Sequence, residues 1–306
     1  MYFSVKDMAA SKIKYIVIYS IERKGNPQPR RLSCAATAGY TMVIIQPSGG
    51  LCNRIRVINS GRELAKRRKE KLVVLWYLCP ELNCTFEDLF LPVTEPDIQI
   101  INIRSLKDPR KLWYQLTSGQ RFGNEDIISH KTDGVLHEDF YRSLKKQVYI
   151  FTWEHFYPSH DYSLYVPAPA LQKRIDSFTK EFAPRCVGVH IRRTDNAVSM
   201  GKSTTEQFIA EMKKELAEHP ESRFFLATDD QSEEDLLRRE FPGKIISNQS
   251  RTIDRNSVEG MHDALLDLYC LAATDKLIGS YWSSFTDIAA DMRGIEKVIA
   301  GENTLS

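Results

Sequence analysis

Residues 186–196 read Cys186-Val187-Gly188-Val189-His190-Ile191-Arg192-Arg193-Thr194-Asp195-Asn196. An apolar run from Val187 to Ile191, broken only by His190, gives way abruptly to charge. A short run that is apolar on both alternating faces predicts a buried parallel strand. Open α/β sheets bind ligands beyond the carboxyl ends of such strands. Arg192 and Arg193 supply planar donors suited to phosphate, and Asp195 adds a carboxylate within the same turn. Alone, the stretch fits equally a buried strand followed by a solvated charged loop.

Two further stretches point the same way. Phe224-Phe225-Leu226-Ala227-Thr228-Asp229-Asp230 is another apolar run ending in polar groups. From Asp267 to Ser284 the pattern predicts a helix, a strand from Lys276 to Gly279, and the turn Ser280-Tyr281-Trp282-Ser283-Ser284. Three strand tips would then bring basic, acidic and hydroxyl groups into one crevice. Around them, helix and strand signals alternate from Ala170 to Ala300, which argues a doubly wound parallel sheet.

A second α/β unit precedes it. Val43-Ile44-Ile45 reads as a strand, Pro47 to Arg54 as a glycine-containing loop, Ile55 to Lys69 as a helix, and Leu72–Tyr77, Ile98–Ile103 and Gln147–Trp153 as strands. Gly49 and Gly50 let a backbone approach a phosphate at a helix start, although the spacing is neither a Rossmann nor a P-loop fingerprint. Ser105 to Lys146 is polar and reads as irregular, either bland surface loops or, if a second substrate is bound, its side of the cleft. Glu154 and His155 follow the last strand, where either could face the cleft as a base. Tyr165-Val166-Pro167-Ala168-Pro169 is the best boundary, because its prolines block both helix and central strand. The expected organisation is an extension at 1–41, a first domain at 42–165 and a second at 166–306.

The three stretches His190-Ile191-Arg192-Arg193-Thr194-Asp195, Ala227-Thr228-Asp229-Asp230 and Leu266-Asp267 with Ser280 to Ser284, in that order, resemble the motif pattern of the superfamily that holds the α1,6-fucosyltransferases, the rhizobial nodulation fucosyltransferases and the protein O-fucosyltransferases. The resemblance runs from about Met42 to the end and is strongest over Val187 to Met292. It implies a GT-B-like α/β fold, two Rossmann-like domains facing a central cleft. It also implies an inverting glycosyltransferase that moves fucose from GDP-fucose to a glycan or peptide hydroxyl. The alternatives are an inactive or divergent GDP-sugar-binding relative, or a transferase using another GDP-sugar. Carried over residue by residue, Arg192 would hold the β-phosphate, and His190 and Asp267 the guanosine. Ser283 and Ser284 would reach the phosphates, Arg193, Asp229 and Asp230 would support the donor pocket, and Gly50, Asn53 and Arg54 would face the cleft.

The pattern also departs from that superfamily. Where the α1,6 enzymes carry a Lys and then a catalytic Glu, this chain has Asn196 and, counting without gaps, Met200. Asp195 is the nearest replacement base; Glu206 reads instead as part of a helix cap. Asp229-Asp230 alone would also suit Mg²⁺ or Mn²⁺ beside a phosphate, but the resemblance implies no metal and no cofactor.

Composition bounds the rest. A formal net charge of +2 over 306 residues argues against a nucleic-acid partner. No apolar run approaches the roughly 20 residues of a membrane span. Six cysteines without a Cys-x-x-Cys pair, and no signal-peptide pattern, lead us to expect reduced thiols and a cytoplasmic location.

Overall fold

The computed structural model describes residues 41–302, apart from 183 and 194–196, with the side chains of 197–199 also left out. The 1–40 part of the expected extension and Asp195 lie outside the described residues.

The first half begins with β1 (Met42–Pro47), α1 (Leu51–Arg68), β2 (Lys71–Tyr77), α2 (Phe86–Leu89) and β3 (Ile98–Ile103). It continues through α3 (Pro109–Thr117), β4 (Gln120–Phe122), α4 (Asn124–Ser129), β5 (Lys131–Thr132), β6 (Val135–Leu136), α5 (Glu138–Ser143) and β7 (Gln147–Thr152). Its main sheet has the order β3-β2-β1-β7-β4, every neighbour parallel. The stretch expected to be irregular, Ser105 to Lys146, instead holds three short helices and three short strands. None exceeds nine residues, too few for a period of 2 or 3.6 to stand out. Single anchors fix them: Ile127, Leu136 and Phe140 are buried.

The second half runs α6 (Pro169–Thr179), β8 (Cys186–Ile191), α7 (Ala197–Lys202), α8 (Thr205–Glu218), β9 (Arg223–Thr228), α9 (Gln231–Glu240), β10 (Ile245–Ile246), α10 (Val258–Ala272), β11 (Lys276–Gly279), α11 (Ser284–Asp291) and β12 (Glu296–Ile299). Its sheet, β10-β9-β8-β11-β12, is also wholly parallel. The expected mixed α/β class with parallel sheets is therefore what the chain adopts.

Both sheets reverse direction of growth once. The chain adds β2 and β3 on one side of β1, then β7 on the other. It adds β9 and β10 on one side of β8, then β11 on the other. Crevices open where strand order reverses, beyond the carboxyl ends. Those ends carry Gly49-Gly50 and Trp153 in the first half, and Arg192 and Ser280 in the second.

A continuous apolar core joins the halves, with Ile58, Tyr165, Leu265 and Phe225 among its members. The Tyr165–Pro169 segment is packed rather than loose. Tyr165 is buried and its hydroxyl donates to Asn59 Oδ1 at 2.9 Å, while Pro167 bridges Phe90. Arg56 of α1 pairs with Asp287 of α11 at 2.6 Å.

Helix α1 lies close on its sheet because Gly61 has no side chain. A Cβ there would sit 2.5 Å from Ile45 Cγ1. In an exposed helix Gly→Ala stabilises by roughly 0.5–1 kcal/mol. Here overpacking wins, and Gly61→Ala is expected to destabilise by about 1–3 kcal/mol. Urea denaturation at unchanged slope reads this directly, and a stabilised variant would refute it.

Candidate functional site

Strand β8 delivers the first groups. His190 is buried, its Nδ1 lies 2.8 Å from Thr286 Oγ1, and its ring stacks on Phe285 with centroids 4.8 Å apart. Burial, helped by the Arg192 and Arg255 charges and opposed by Asp229, brings its pKa down to about 4. The ring is therefore neutral at pH 7 and can meet a nucleoside without adding charge. The next strand tip clamps the backbone: Arg192 N–H donates to Ser280 Oγ at 3.2 Å, and Ser280 O–H donates to the His190 carbonyl at 3.0 Å.

A cavity opens at this point. His190, Arg192, Thr228, Asp229, Ser284 and Phe285 line it from the strand tips and the start of α11. Gly260, Met261, Asp263, Ala264 and Asp267 line it from one face of α10, at i, i+3, i+4, i+7 spacing. Arg251, Thr252, Ile253 and Arg255 close it from the loop before α10, and Gly50, Cys52, Asn53 and Glu81 from the first half. The loop can lie directly on α10 because of Gly260, where a Cβ would fall 1.9 Å from the Asp254 carbonyl oxygen. Asp263 holds the loop, accepting from Thr252 N at 2.7 Å and Asn248 Nδ2 at 3.1 Å, and it pairs with Arg174 at 2.5 Å.

One end of the cavity carries opposed, unsatisfied groups. Asp267 is buried and its Oδ1 has no hydrogen-bond partner among the described residues. Burial drives its pKa up to about 7, with Arg251 pulling it down and Asp263 and Glu234 pushing it further up. The Arg251 side chain is 5% exposed. Its Nη2 lies 2.7 Å from Glu234 Oε2, but its Nε has no hydrogen-bond partner among the described residues.

The residues singled out from the sequence divide. Gly50, Asn53, His190, Arg192, Asp229, Asp267 and Ser284 line the cavity. Arg54, Arg193, Asp230 and Ser283 do not. Arg54 turns away from the cleft, contrary to expectation: its donors reach the Gly49 carbonyl at 2.9 Å, the Tyr77 carbonyl at 2.6 Å and Cys79 Sγ at 2.9 Å, and it lies over Trp76. Arg193 pairs with Glu233 at 2.5 Å and donates to the Ser203 carbonyl at 2.9 Å. Asp230 caps α9 through Ser232 N, and Ser283 caps α11 through Thr286 N. Asp195 lies outside the described residues.

Of the two candidate bases after β7, Glu154 is bound to Lys131 at 2.5 Å. His155 packs its ring against Gly134, and burial, with Lys131 and Arg56, lowers its pKa. Glu206 is fully exposed in the first turn of α8, beside the Thr204 cap. Sequence reasoning missed Arg251, Arg255 and Glu81. The available signal for the two arginines was positional, since they follow the carboxyl end of β10.

Among the described residues no group of three or more His, Cys, Asp or Glu is gathered as a metal site would require, and no helix is long and apolar enough to cross a membrane.

No protein-family model matches the sequence, and no curated protein matches it. Solved structures do resemble it. Fucosyltransferase NodZ from Bradyrhizobium is 17% identical with a TM-score of 0.57, over 82% of this chain and 92% of that one. An Arabidopsis thaliana FUT1 variant in complex with GDP is 14% identical with a TM-score of 0.59, over 87% and 71%. POFUT1 in complex with GDP-fucose is 13% identical with a TM-score of 0.55, over 86% and 99%. The chain thus has the two-sheet GT-B fold of these fucosyltransferases.

Proposed function

We propose that the chain is a metal-independent glycosyltransferase that moves fucose from GDP-fucose to a glycan or peptide hydroxyl with inversion. The observation that carries the donor assignment is the pair of unsatisfied buried groups, Arg251 Nε and Asp267 Oδ1, in one cavity. Guanine presents O6, an acceptor, next to N1–H and N2–H, which are donors; a guanidinium beside a carboxylate complements that edge. Adenine presents the reverse order. Relatives of the same fold hold GDP-fucose or GDP.

The diphosphate then extends toward Arg192 and two helix starts. Helix α11 begins at Ser284. Helix α1 begins at Leu51 behind Gly50, with no side-chain cap and no acid in its first turn. Free N–H groups at helix starts favour phosphate. A Cβ at Gly50 would meet nothing within 4 Å, so packing does not demand glycine there, whereas close approach of a phosphate does. In the reaction the acceptor oxygen attacks the fucosyl anomeric carbon, the bond to the β-phosphate oxygen breaks, and the acceptor proton passes to a base, for which Asp195 is the sequence candidate. Arg192 and the helix starts stabilise the charge that develops on the leaving GDP.

The second reading, a GDP-sugar binder without transferase activity, draws on Asn196 and Met200, which stand where the α1,6 enzymes carry Lys and Glu. Calorimetry with GDP, ADP, CDP and UDP tests the cavity. GDP is expected to bind at least about a hundredfold tighter than ADP, and equal affinities would overturn the guanine assignment. A panel of GDP-sugars with acceptors, read as acceptor-dependent GDP release, separates transferase from binder.

A further inference from the structure

The nucleotide cavity opens beyond the carboxyl ends of the strands. The amino ends of β1, β2 and β7 gather a different set of groups. Met42 is in register with Lys71 on one side and Gln147 on the other, and its N–H donates to the Lys146 carbonyl at 3.2 Å. Helix α1 ends at the same place, where Arg68 donates to the carbonyls of Leu144 at 3.3 Å and Lys145 at 2.6 Å. Lys66 and the cap residue Lys69 from the end of α1, and Lys145 and Lys146 from the link into β7, are thereby brought around Thr41. All four are exposed.

The arginines at this end are neutralised: Arg67 pairs with Glu63 at 2.9 Å and Arg68 with Glu70 at 2.7 Å. The four lysines make no ion pair among the described residues. A helix carboxyl end favours cations one at a time. Like charges drawn together from two separate segments repel, and an anionic partner removes that cost. The second sheet gives the contrast. At its amino ends Arg185 meets Glu215 at 2.7 Å, Arg223 meets Glu181 at 3.7 Å and Lys276 meets Glu215 at 3.4 Å. Basic groups there are matched by carboxylates.

The charge of the whole chain is distributed to the same effect. Residues 1–40 hold seven Lys or Arg against two acids, so the net positive charge arises there and 41–306 is net acidic. In sequence that basic segment joins the body at Thr41, amid the lysines. It also contains the apolar run Tyr15-Ile16-Val17-Ile18-Tyr19, with Lys12 and Lys14 before it and Arg23 and Lys24 after. Basic residues together with an aromatic and aliphatic run suit an anionic bilayer, which offers both charged headgroups and an apolar boundary. Duplex nucleic acid rewards the charge alone.

We propose that this pole is a docking surface for an anionic lipid bilayer, with Lys66, Lys69, Lys145 and Lys146 against the headgroups and the basic sequence of 1–40 adding to the attraction. Each basic residue near such a leaflet adds roughly fivefold to affinity, within a reach of about 8 Å at physiological salt. Docking at the amino ends of these strands leaves the nucleotide cavity, beyond their carboxyl ends, open to solvent. The surface acts whichever nucleotide that cavity takes.

The test is co-sedimentation of the full chain with vesicles of phosphatidylcholine alone and of phosphatidylcholine with about a third phosphatidylglycerol. The native chain is expected to bind the anionic vesicles, to leave the neutral ones, and to lose most binding between about 50 mM and about 500 mM salt. Reversing the pole with Lys66→Glu, Lys69→Glu, Lys145→Glu and Lys146→Glu together should lower partitioning about a hundredfold or more. The milder pair Lys145→Gln and Lys146→Gln should lower it about tenfold. A control of equal net charge reverses four exposed lysines elsewhere, Lys107, Lys173, Lys180 and Lys214, and should stay within about threefold of native. Melting midpoints confirm that each variant is folded, and the glutamine pair decides if the fourfold reversal is not. No binding to anionic vesicles, equal binding to neutral ones, or equal losses in pole and control variants would overturn the proposal. So would retention of duplex DNA by a chain that leaves anionic vesicles unbound, which would make the pole a nucleic-acid surface.

Discussion

Asp267→Asn is expected to weaken GDP binding by roughly a hundredfold or more, about 3 kcal/mol, while leaving the fold intact. In the proposed pose the carboxylate accepts from two guanine donors; asparagine keeps one acceptor and sets an NH₂ against the other donor. Hydrogen bonds to a charged group are worth about 1.5–3 kcal/mol each, and a buried mismatch adds its desolvation cost. An affinity within threefold of native would place the base elsewhere.

The same residue gives a pH signature. With a GDP-free pKa of about 7, Asp267 is mostly protonated at pH 6 and must ionise to receive guanine. GDP affinity should therefore climb toward pH 7 by up to about tenfold per unit and flatten above it. The asparagine variant has no such group, so it isolates whatever the phosphate's own titration contributes near pH 6. Stability runs the other way. The folded pKa lies above the usual aspartate value of 3.8, so this carboxyl stabilises the GDP-free fold fully below about pH 4 and loses that contribution as pH rises toward 7. The loss is on the order of 4 kcal/mol. At Asp287 and Glu234 ion pairs outweigh the upward pull of burial and hold the pKa low, so those groups lose stability on acidification. Comparing native with variant removes that background: at pH 8, GDP-free Asp267→Asn should melt higher than the native chain. A residue that lowers stability until its ligand arrives is what a binding site requires.

Strands β8, β9 and β11 and helix α10 were legible because each is buried on enough of its surface to leave an uninterrupted apolar run or a 3.6-residue stripe. The cavity's location was legible because polar groups followed three of those strands. What the sequence could not resolve was direction. Four adjacent pairs were read as site residues together, and in each the backbone sends one member into the cavity and commits the other to the fold: Asn53 against Arg54, Arg192 against Arg193, Asp229 against Asp230, Ser284 against Ser283. Consecutive residues in extended chain point to opposite sides, and in a helix they diverge by about 100°. Because α1 begins at Leu51 rather than Ile55, Asn53 and Arg54 fall under the helical rule, and Arg54 is carried round to Trp76, Tyr77 and Cys79. Arg251 was invisible for a different reason. Its place is set by contacts with Glu234 and by the loop held on Asp263, neither of which leaves a periodic trace.

The Arg192–Arg193 pair turns that argument into the sharpest experiment. Arg192→Ala should leave a folded chain and lower turnover by about 10²–10³-fold, the usual cost of deleting one donor aimed at developing charge. Arg192→Lys should recover little, since a single ammonium cannot reproduce a bidentate planar contact. Arg193→Ala should do the opposite. Glu233 is buried, with Arg193 Nε at 2.5 Å and Thr205 Oγ1 at 2.6 Å. Removing the arginine strands that carboxylate and costs about 3 kcal/mol of stability, read as a lowered denaturation midpoint, while the surviving folded fraction still binds GDP. If the two variants exchange phenotypes, so that Arg193→Ala loses binding at full stability and Arg192→Ala unfolds, the phosphate lies on the other face of this turn and the donor pose is wrong. If both lose only binding, the Glu233 pair is dispensable to the fold, and the two arginines share the diphosphate as the sequence alone would allow.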